Sequence, residues 1–263
     1  IDLETTELTV AAVEAVLSSK TKLVAITGAG NTIGTRPDLK AIGVAVHKVG
    51  ALFYVDGVHL TPHAAISAKE IGADFFGLSF YKLMGPHCAA LAASPALLET
   101  LNNDKLLPAT SAVPERFEFG TLPYELMAGC IAAIDFIAEM APGNGTTRRE
   151  KIVNSMNALE KYEDGLLEYL ESSVKALPGV VMYGHAKHRT PTIYFSCAGH
   201  SSADIYAAMA SKGVTLPASN FYALEVSRKL GLGDTGALRA GLAPYSIKDD
   251  VDRLVGGLKE ILA

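Results

Sequence analysis

Asp56 closes a short apolar run, LFYV at 52–55, and Lys82 stands just beyond a second one, DFFGL at 74–78. Each residue alone has a plainer explanation. An Asp-Gly pair after a strand is a common turn, and a lysine after a strand is commonly a solvated side chain. From the ends of neighbouring strands, however, an amine and a carboxylate can hold one flat nitrogen heterocycle. The amine condenses with an aldehyde on the ring, and the carboxylate keeps the ring nitrogen protonated.

A glycine-rich stretch offers a competing chemistry. Residues 27–34 read TGAGNTIG, one substitution away from the TGxxxGxG dinucleotide loop of short-chain dehydrogenases, and Asp56 could then be a ribose-binding acid. Tyr183 and Lys187 even supply a YxxxK. Three features weigh against an NAD(P)-dependent dehydrogenase. Thr32 replaces the glycine over which a pyrophosphate must approach bare backbone. Pro37 interrupts the helix that should aim its N-terminus at the phosphates. Gly184 sits inside the YxxxK, with Pro178, Gly179 and Pro191 around it, so that segment reads as a loop.

The elements that must position Asp56 and Lys82 follow from hydrophobic spacing. Residues 10–17 are predicted helical, and 22–26 form a buried strand. Asp38 caps a helix over 38–49 that Gly50 closes. Residues 52–55 form a second strand, 64–71 a helix closed by Gly72, 74–78 a third strand and 88–93 a fourth. Strands apolar throughout and separated by helices indicate a parallel sheet covered on both faces. Ligands in such sheets lie beyond the carboxyl ends of the strands, where Asn31, Asp56 and residues 79–82 all fall. Residues 123–140 read as a helix, and 142–145 (PGNG) as a break. A long amphipathic helix over 148–177 leads to strand 192–197, helix 202–212, strand 238–242 and a closing helix 247–262.

With 263 residues, 49% apolar and 19% charged, the chain can bury one large core, or a large domain plus a smaller one. The net charge of −5 argues against a nucleic-acid partner, and no apolar run is long enough to cross a bilayer. Cys88, Cys130 and Cys197 form no CxxC pair and read as small buried hydrophobes in a reducing compartment. Pro62 separates His59 from His63, so no metal site is expected there.

Five blocks, VAITGAGNTIGT (24–35), LFYVDGVH (52–59), GADFFGLSFYKLMGP (72–86), RFEFGT (116–121) and LRAGLAPYSIKDDVDRLV (238–255), stand in the order and near the spacing of a known pattern. In these the chain resembles the class V aminotransferase family of pyridoxal-phosphate enzymes, in its cysteine desulfurase-like branch. The resemblance implies an α/β chain: a mainly parallel, incomplete fold-type-I large domain over 1–145, then a smaller α+β domain over 146–263. It implies pyridoxal 5′-phosphate as cofactor, with Lys82 as the Schiff-base lysine and proton shuttle and Asp56 facing the pyridinium nitrogen. Asn31 and His59 would hydrogen-bond near the phenolic oxygen, Asn31 alternatively at the substrate carboxylate. Ser79 and Tyr81 would serve the phosphate, and Arg239 would grip the substrate α-carboxylate. Thr121 resembles the threonine that reaches a neighbouring subunit's cofactor, implying a homodimer with shared active sites.

Two departures narrow the expectation. The loop 216–232, LPASNFYALEVSRKLGL, has no cysteine where desulfurases carry one, and Tyr222 or a neighbour stands there. A tyrosine cannot form a persulfide, so a cysteine desulfurase is the less favoured alternative. The expected enzyme acts at the α-carbon of a small amino acid as a lyase or transaminase, in the cytoplasm. The family's first half of the large domain has no counterpart, and the chain begins at Ile1 in what reads as mid-domain. A fragment of a longer protein is therefore expected, with an inactive fragment or binding subunit as a further alternative.

Overall fold

The computed structural model describes residues 1–143 and 145–263; Asn144, within the break expected at 142–145, lies outside the described residues. The chain divides into two compact units that interleave in sequence. One comprises residues 13–28 and 38–156, the other 1–12, 29–37 and 157–263.

The first unit is built on a sheet of four strands in chain order: β1 (Leu23–Thr27), β2 (Leu52–Asp56), β3 (Phe75–Ser79) and β4 (Ala89–Ala93). β1, β2 and β3 are parallel, and β4 joins antiparallel with Ser79 opposite Ala89. The sheet is thus mainly parallel, as expected, with one antiparallel strand at its edge. Too few residues separate β3 from β4 for a helical crossover, and a parallel partner needs about a dozen or more. The helix Leu39–Lys48 begins as expected, with Asp38 accepting from the Ala41 amide at 2.9 Å. It packs Ile42 and Val46 with Phe53, Val55 and Phe76 into a core closed to solvent. Burying each such side chain contributes about 1.5–3 kcal/mol. Phe53 and Val55 alternate with Tyr54 and Asp56, so the core takes one face of the sheet and Asp56 points from the other. That second face is open, with Leu23 and Leu91 more than half exposed. Cover on both faces was expected, and it is found on one.

The second helix of this unit is shorter than its apolar spacing suggests. It spans Ala68–Ile71, capped by the Ser67 side chain and closed by left-handed Gly72, while residues 59–63 form turns. The helix Tyr124–Glu139 follows the expected span, and it lies against the segment after β3: a methyl group added at Gly129 would touch Pro86 at 3.1 Å.

The other unit holds an antiparallel sheet in the order β5 (Val180–Tyr183), β6 (Thr192–Cys197), β8 (Ala237–Gly241), β7 (Ala218–Ser219). Leu170, Val174, Ile193, Phe195, Met209, Leu238 and Leu258 form its core, contributed by the long helix, the central strands and the flanking helices Ser202–Ser211 and Lys248–Leu262. β5 occupies part of the segment read as a loop, and Tyr183 ends it. Its hydroxyl bonds Ser196 Oγ at 3.0 Å, and no helix carries Tyr183 and Lys187 together.

The long helix Arg148–Lys175 starts at a reciprocal cap that the TTRRE sequence encodes. Thr147 Oγ1 accepts from the Glu150 amide at 3.2 Å, and the Glu150 carboxylate accepts from the Thr147 amide at 3.0 Å and the Thr146 amide at 2.8 Å. These bonds hold the Glu150 pKa down to about 2. A lowered carboxylate pKa stabilises the fold fully above its unfolded value, near 4.3, and the gain is lost as pH falls through the folded value. Glu150→Gln should therefore lower the melting temperature above pH 5. The difference from wild type should shrink between about pH 4.3 and 2 and vanish below. A difference independent of pH would show that the carboxylate's charge has no part in the cap.

Candidate active site

Main-chain register brings Asp56 and Ser79 to one edge of the parallel sheet. Asp56 lies opposite Gly77, and Ser79 is two residues further along β3, hence on the same face. Gly77 leaves that face bare at the point where Tyr54 leans across, since an added Cβ would lie 2.7 Å from the Tyr54 hydroxyl. Three backbone bonds fix the aspartate. The Gly28 amide donates to the Asp56 carbonyl at 2.7 Å, the Gly57 amide to the Gly77 carbonyl at 2.8 Å, and the Val58 amide to the Asp56 carboxylate at 3.0 Å. Gly57 is required here, because a Cβ would sit 2.1 Å from Phe76 Cζ.

Directly after β3 the chain tightens into one 3-10 turn, Phe80–Lys82. The Phe80 carbonyl accepts from the Leu83 and Gly85 amides at 2.8 and 2.9 Å, and the Phe80 amide donates to the Cys88 carbonyl at 2.8 Å. The turn therefore holds Lys82 three residues past Ser79. The Lys82 ammonium lies 5.9 Å from the Tyr81 ring centre, and Tyr81 stacks on His87 at 5.5 Å. His59 follows Asp56 by three residues and meets His63 edge-on at 5.5 Å. Thr121 stands exposed after Gly120, with no hydrogen bond to the strand-tip group among the described residues. Asp56, Ser79 and Lys82 are thus gathered in one unit, with His59 and Tyr81 on the adjoining segments.

The structure also pairs two cysteines that are distant in sequence. The Cys130 thiol is pushed up by burial and by the neighbouring Cys88 thiol. All three cysteines are free, and Cys130 and Cys197 are buried as expected.

Asn31 and Arg239 belong to the other unit and contact one another. Arg239 sits on β8 opposite Tyr194 of β6, and its Nη1 donates to the Asn31 carbonyl at 2.9 Å. The Asn31 side-chain amide donates to the Phe221 carbonyl at 2.9 Å. The Phe221 ring centre lies 4.0 Å from the Arg239 Cζ. Burial lowers the Arg239 pKa, with Tyr194 opposing the shift. No carboxylate pairs with Arg239 among the described residues, whereas Arg36, Arg116, Arg148, Arg189 and Arg228 each have one. A half-buried cation left without a counter-charge is a ready receptor for an anionic ligand. Phe221 and Tyr194 were not singled out from the sequence. No spacing rule joins residues so far apart along the chain.

The dinucleotide alternative fails on backbone geometry. In the loop at 27–34, the Gly30 amide donates to the Thr35 carbonyl at 2.8 Å and the Gly34 amide to the Gly30 carbonyl at 2.9 Å. Two of the loop's amides are thus spent within it, and the next helix begins only at Leu39.

Residues 3–254 match the family model for aminotransferase class-V. The chain belongs to that family. It is 32% identical to an aminotransferase-like protein of Gibberella zeae, over 99% of this chain and 64% of that one. It is 30% identical to a probable cysteine desulfurase of Halalkalibacterium halodurans, over 94% of this chain and 60% of that one. Among solved structures, the cysteine desulfurase CsdA of Escherichia coli superposes with a TM-score of 0.83 at 24% identity, over 97% of this chain and 63% of that one. The chain thus spans less than two thirds of the length of these relatives. The family comprises pyridoxal-phosphate-dependent, aminotransferase-like enzymes, and the fold is that of fold-type-I members.

The residues present fit that cofactor. A primary amine, a carboxylate at the adjacent strand tip and a hydroxyl at the end of β3 are the donor set that an aldehyde, a ring nitrogen and a phosphate require. Since Gly57 sets the aspartate's placement against Phe76, Gly57→Ala should destabilise the protein by about 1–3 kcal/mol, through overpacking. Gly165→Ala, in open space on the long helix, should be neutral or stabilising by up to about 1 kcal/mol. Denaturant midpoints of the two variants measure both effects.

Proposed function

We propose that this chain carries the cofactor lysine and the substrate arginine of a pyridoxal-phosphate-dependent enzyme that acts at the α-carbon of a small amino acid, as a lyase or transaminase. The observation that supports it is the β2–β3 register, which sets Asp56 and Ser79 on one face and Lys82 on the next turn.

When bound, pyridoxal phosphate supplies an electron sink for charge developing at the substrate α-carbon. Lys82 holds the aldehyde end and moves the proton at that carbon. Asp56 keeps a positive charge on the ring nitrogen, which is the carboxylate's whole task there. Ser79 and Tyr81 offer hydroxyls to the phosphate, and His59 can donate to the phenolic oxygen. Arg239 takes the substrate α-carboxylate through a planar pair of N–H donors, and Asn31 orients it by accepting from Nη1. Thr121, exposed beyond the site, serves a neighbouring copy's phosphate in a homodimer with shared sites. A cytoplasmic setting agrees with the three cysteines being free of disulfide bonds.

Several relatives are cysteine desulfurases by name, but persulfide chemistry needs an exposed, reactive thiol. The loop 216–232 contains none, and Tyr222 is fully exposed in it. Cys197 lies on β6 at 3% exposure, and burial pushes its thiol pKa up. A buried, protonated thiol is a poor acceptor of sulfur.

The test uses the full-length protein with pyridoxal phosphate, reduced with borohydride and digested for mass spectrometry. The cofactor should be trapped on Lys82, and Lys82→Ala should lose the visible absorption band and about 10²–10⁴-fold in turnover. Trapping on another residue would overturn the assignment. Arg239→Lys, which replaces the fork by a point charge, should raise KM for an amino-acid substrate by about tenfold or more, with a smaller effect on kcat.

A further inference from the structure

We infer that Phe221 determines which anion Arg239 accepts: its ring closes one side of the guanidinium, so that the arginine takes a planar carboxylate and disfavours tetrahedral phosphonates and sulfonates. This rests on the reading of Arg239 as the carboxylate-binding residue.

The ring is held in place from several directions. Its centre lies 4.0 Å from the Arg239 Cζ, a separation at which an aromatic ring packs against the flat side of a guanidinium. Tyr194 meets Phe221 edge-on at 6.2 Å and 76°. Tyr194 is itself closed to solvent, its hydroxyl donating to the Ser219 carbonyl at 2.9 Å and accepting from the Ala237 amide at 2.7 Å. The Phe221 carbonyl accepts from Asn31 and its amide donates to Ser219 Oγ at 3.1 Å. Phe221 and Tyr222 both adopt left-handed backbone, with φ of 52° and 64°. Such conformations are costly for side chains of this size, and they persist only where the surroundings enforce them.

The discrimination follows from shape. A carboxylate engaged by two N–H groups lies in the guanidinium plane, and its carbon substituent lies there too. A phosphonate or sulfonate with two oxygens in the same fork must place its third oxygen and its carbon on opposite sides of that plane. With Phe221 on one side, either the oxygen loses water against an aromatic face or the carbon is forced to that side. The first outcome leaves a polar atom unsolvated. The second turns the substrate over relative to the carboxylate pose. Asn31, already bonded to both Arg239 and Phe221, prevents the guanidinium from tilting away.

The experiment measures modification of Arg239 by phenylglyoxal in the full chain, with and without pyridoxal phosphate, followed by peptide mass spectrometry. L-alanine and its phosphonate analogue, 1-aminoethylphosphonate, serve as protecting ligands. In wild type, alanine should protect at a concentration about tenfold or more below the phosphonate. Phe221→Ala and Phe221→Leu should bring the two concentrations together, and Phe221→Tyr, which keeps the flat ring, should restore the gap. Equal protection in wild type, or a gap unchanged in both the Ala and Leu variants, overturns the role of Phe221 while leaving Arg239 as the carboxylate residue. Failure of alanine to protect Arg239 in wild type removes that reading too, and the borohydride result on Lys82 stands apart from both.

Discussion

In a parallel sheet the register of the main chain decides which side chains share an edge, and no rotamer change can undo it. Asp56 faces Gly77 across β2 and β3, so Ser79 lies on the same side as the aspartate and the turn bearing Lys82 begins next to both. A slip of one residue would send Asp56 to the core face in place of Phe53 and Val55, where a carboxylate has no solvation. The core under β2 enforces the register, because Phe53, Val55 and Phe76 cannot be exchanged for Tyr54, Asp56 and Gly77 without exposing apolar area and burying charge. Glycines then admit the close contacts: Gly57 clears Phe76, and Gly77 clears the Tyr54 hydroxyl.

Much of this was legible from the sequence, for reasons that differ by element. Buried strands announce themselves as apolar runs, and Asp38 and Gly72 are end signals that work locally, so the order of strands and helices up to Ser79 could be read directly. The antiparallel turn of β4 was not legible, since CAALAA carries no mark of direction. Neither was β5, whose four residues lie between Pro178-Gly179 and Gly184 and look like loop. Cover on only one sheet face was also missed, because strands apolar on both sides read as buried on both.

The site divided along the same line. Asp56 and Lys82 could be nominated from the sequence because each follows an apolar run and matches a block of the family pattern. The meeting of Arg239, Asn31, Phe221 and Tyr194 could not, because each contact joins segments remote in sequence and depends on β6–β8 pairing. The dinucleotide resemblance at 27–34 shows the opposite failure. A string close to a phosphate-binding motif folds into a loop in which the Gly30 and Gly34 amides bond internally. What separates the two cases is where the hydrogen bonds go, and only the folded chain reveals that.

A crystal structure of the whole protein with pyridoxal phosphate tests the central geometry most directly. It should show continuous density from Lys82 Nζ to the aldehyde carbon, with an Asp56 carboxylate oxygen at hydrogen-bond distance, about 2.6–3.2 Å, from the ring nitrogen. A ring nitrogen facing some other residue, with Asp56 directed away from it, would contradict the account.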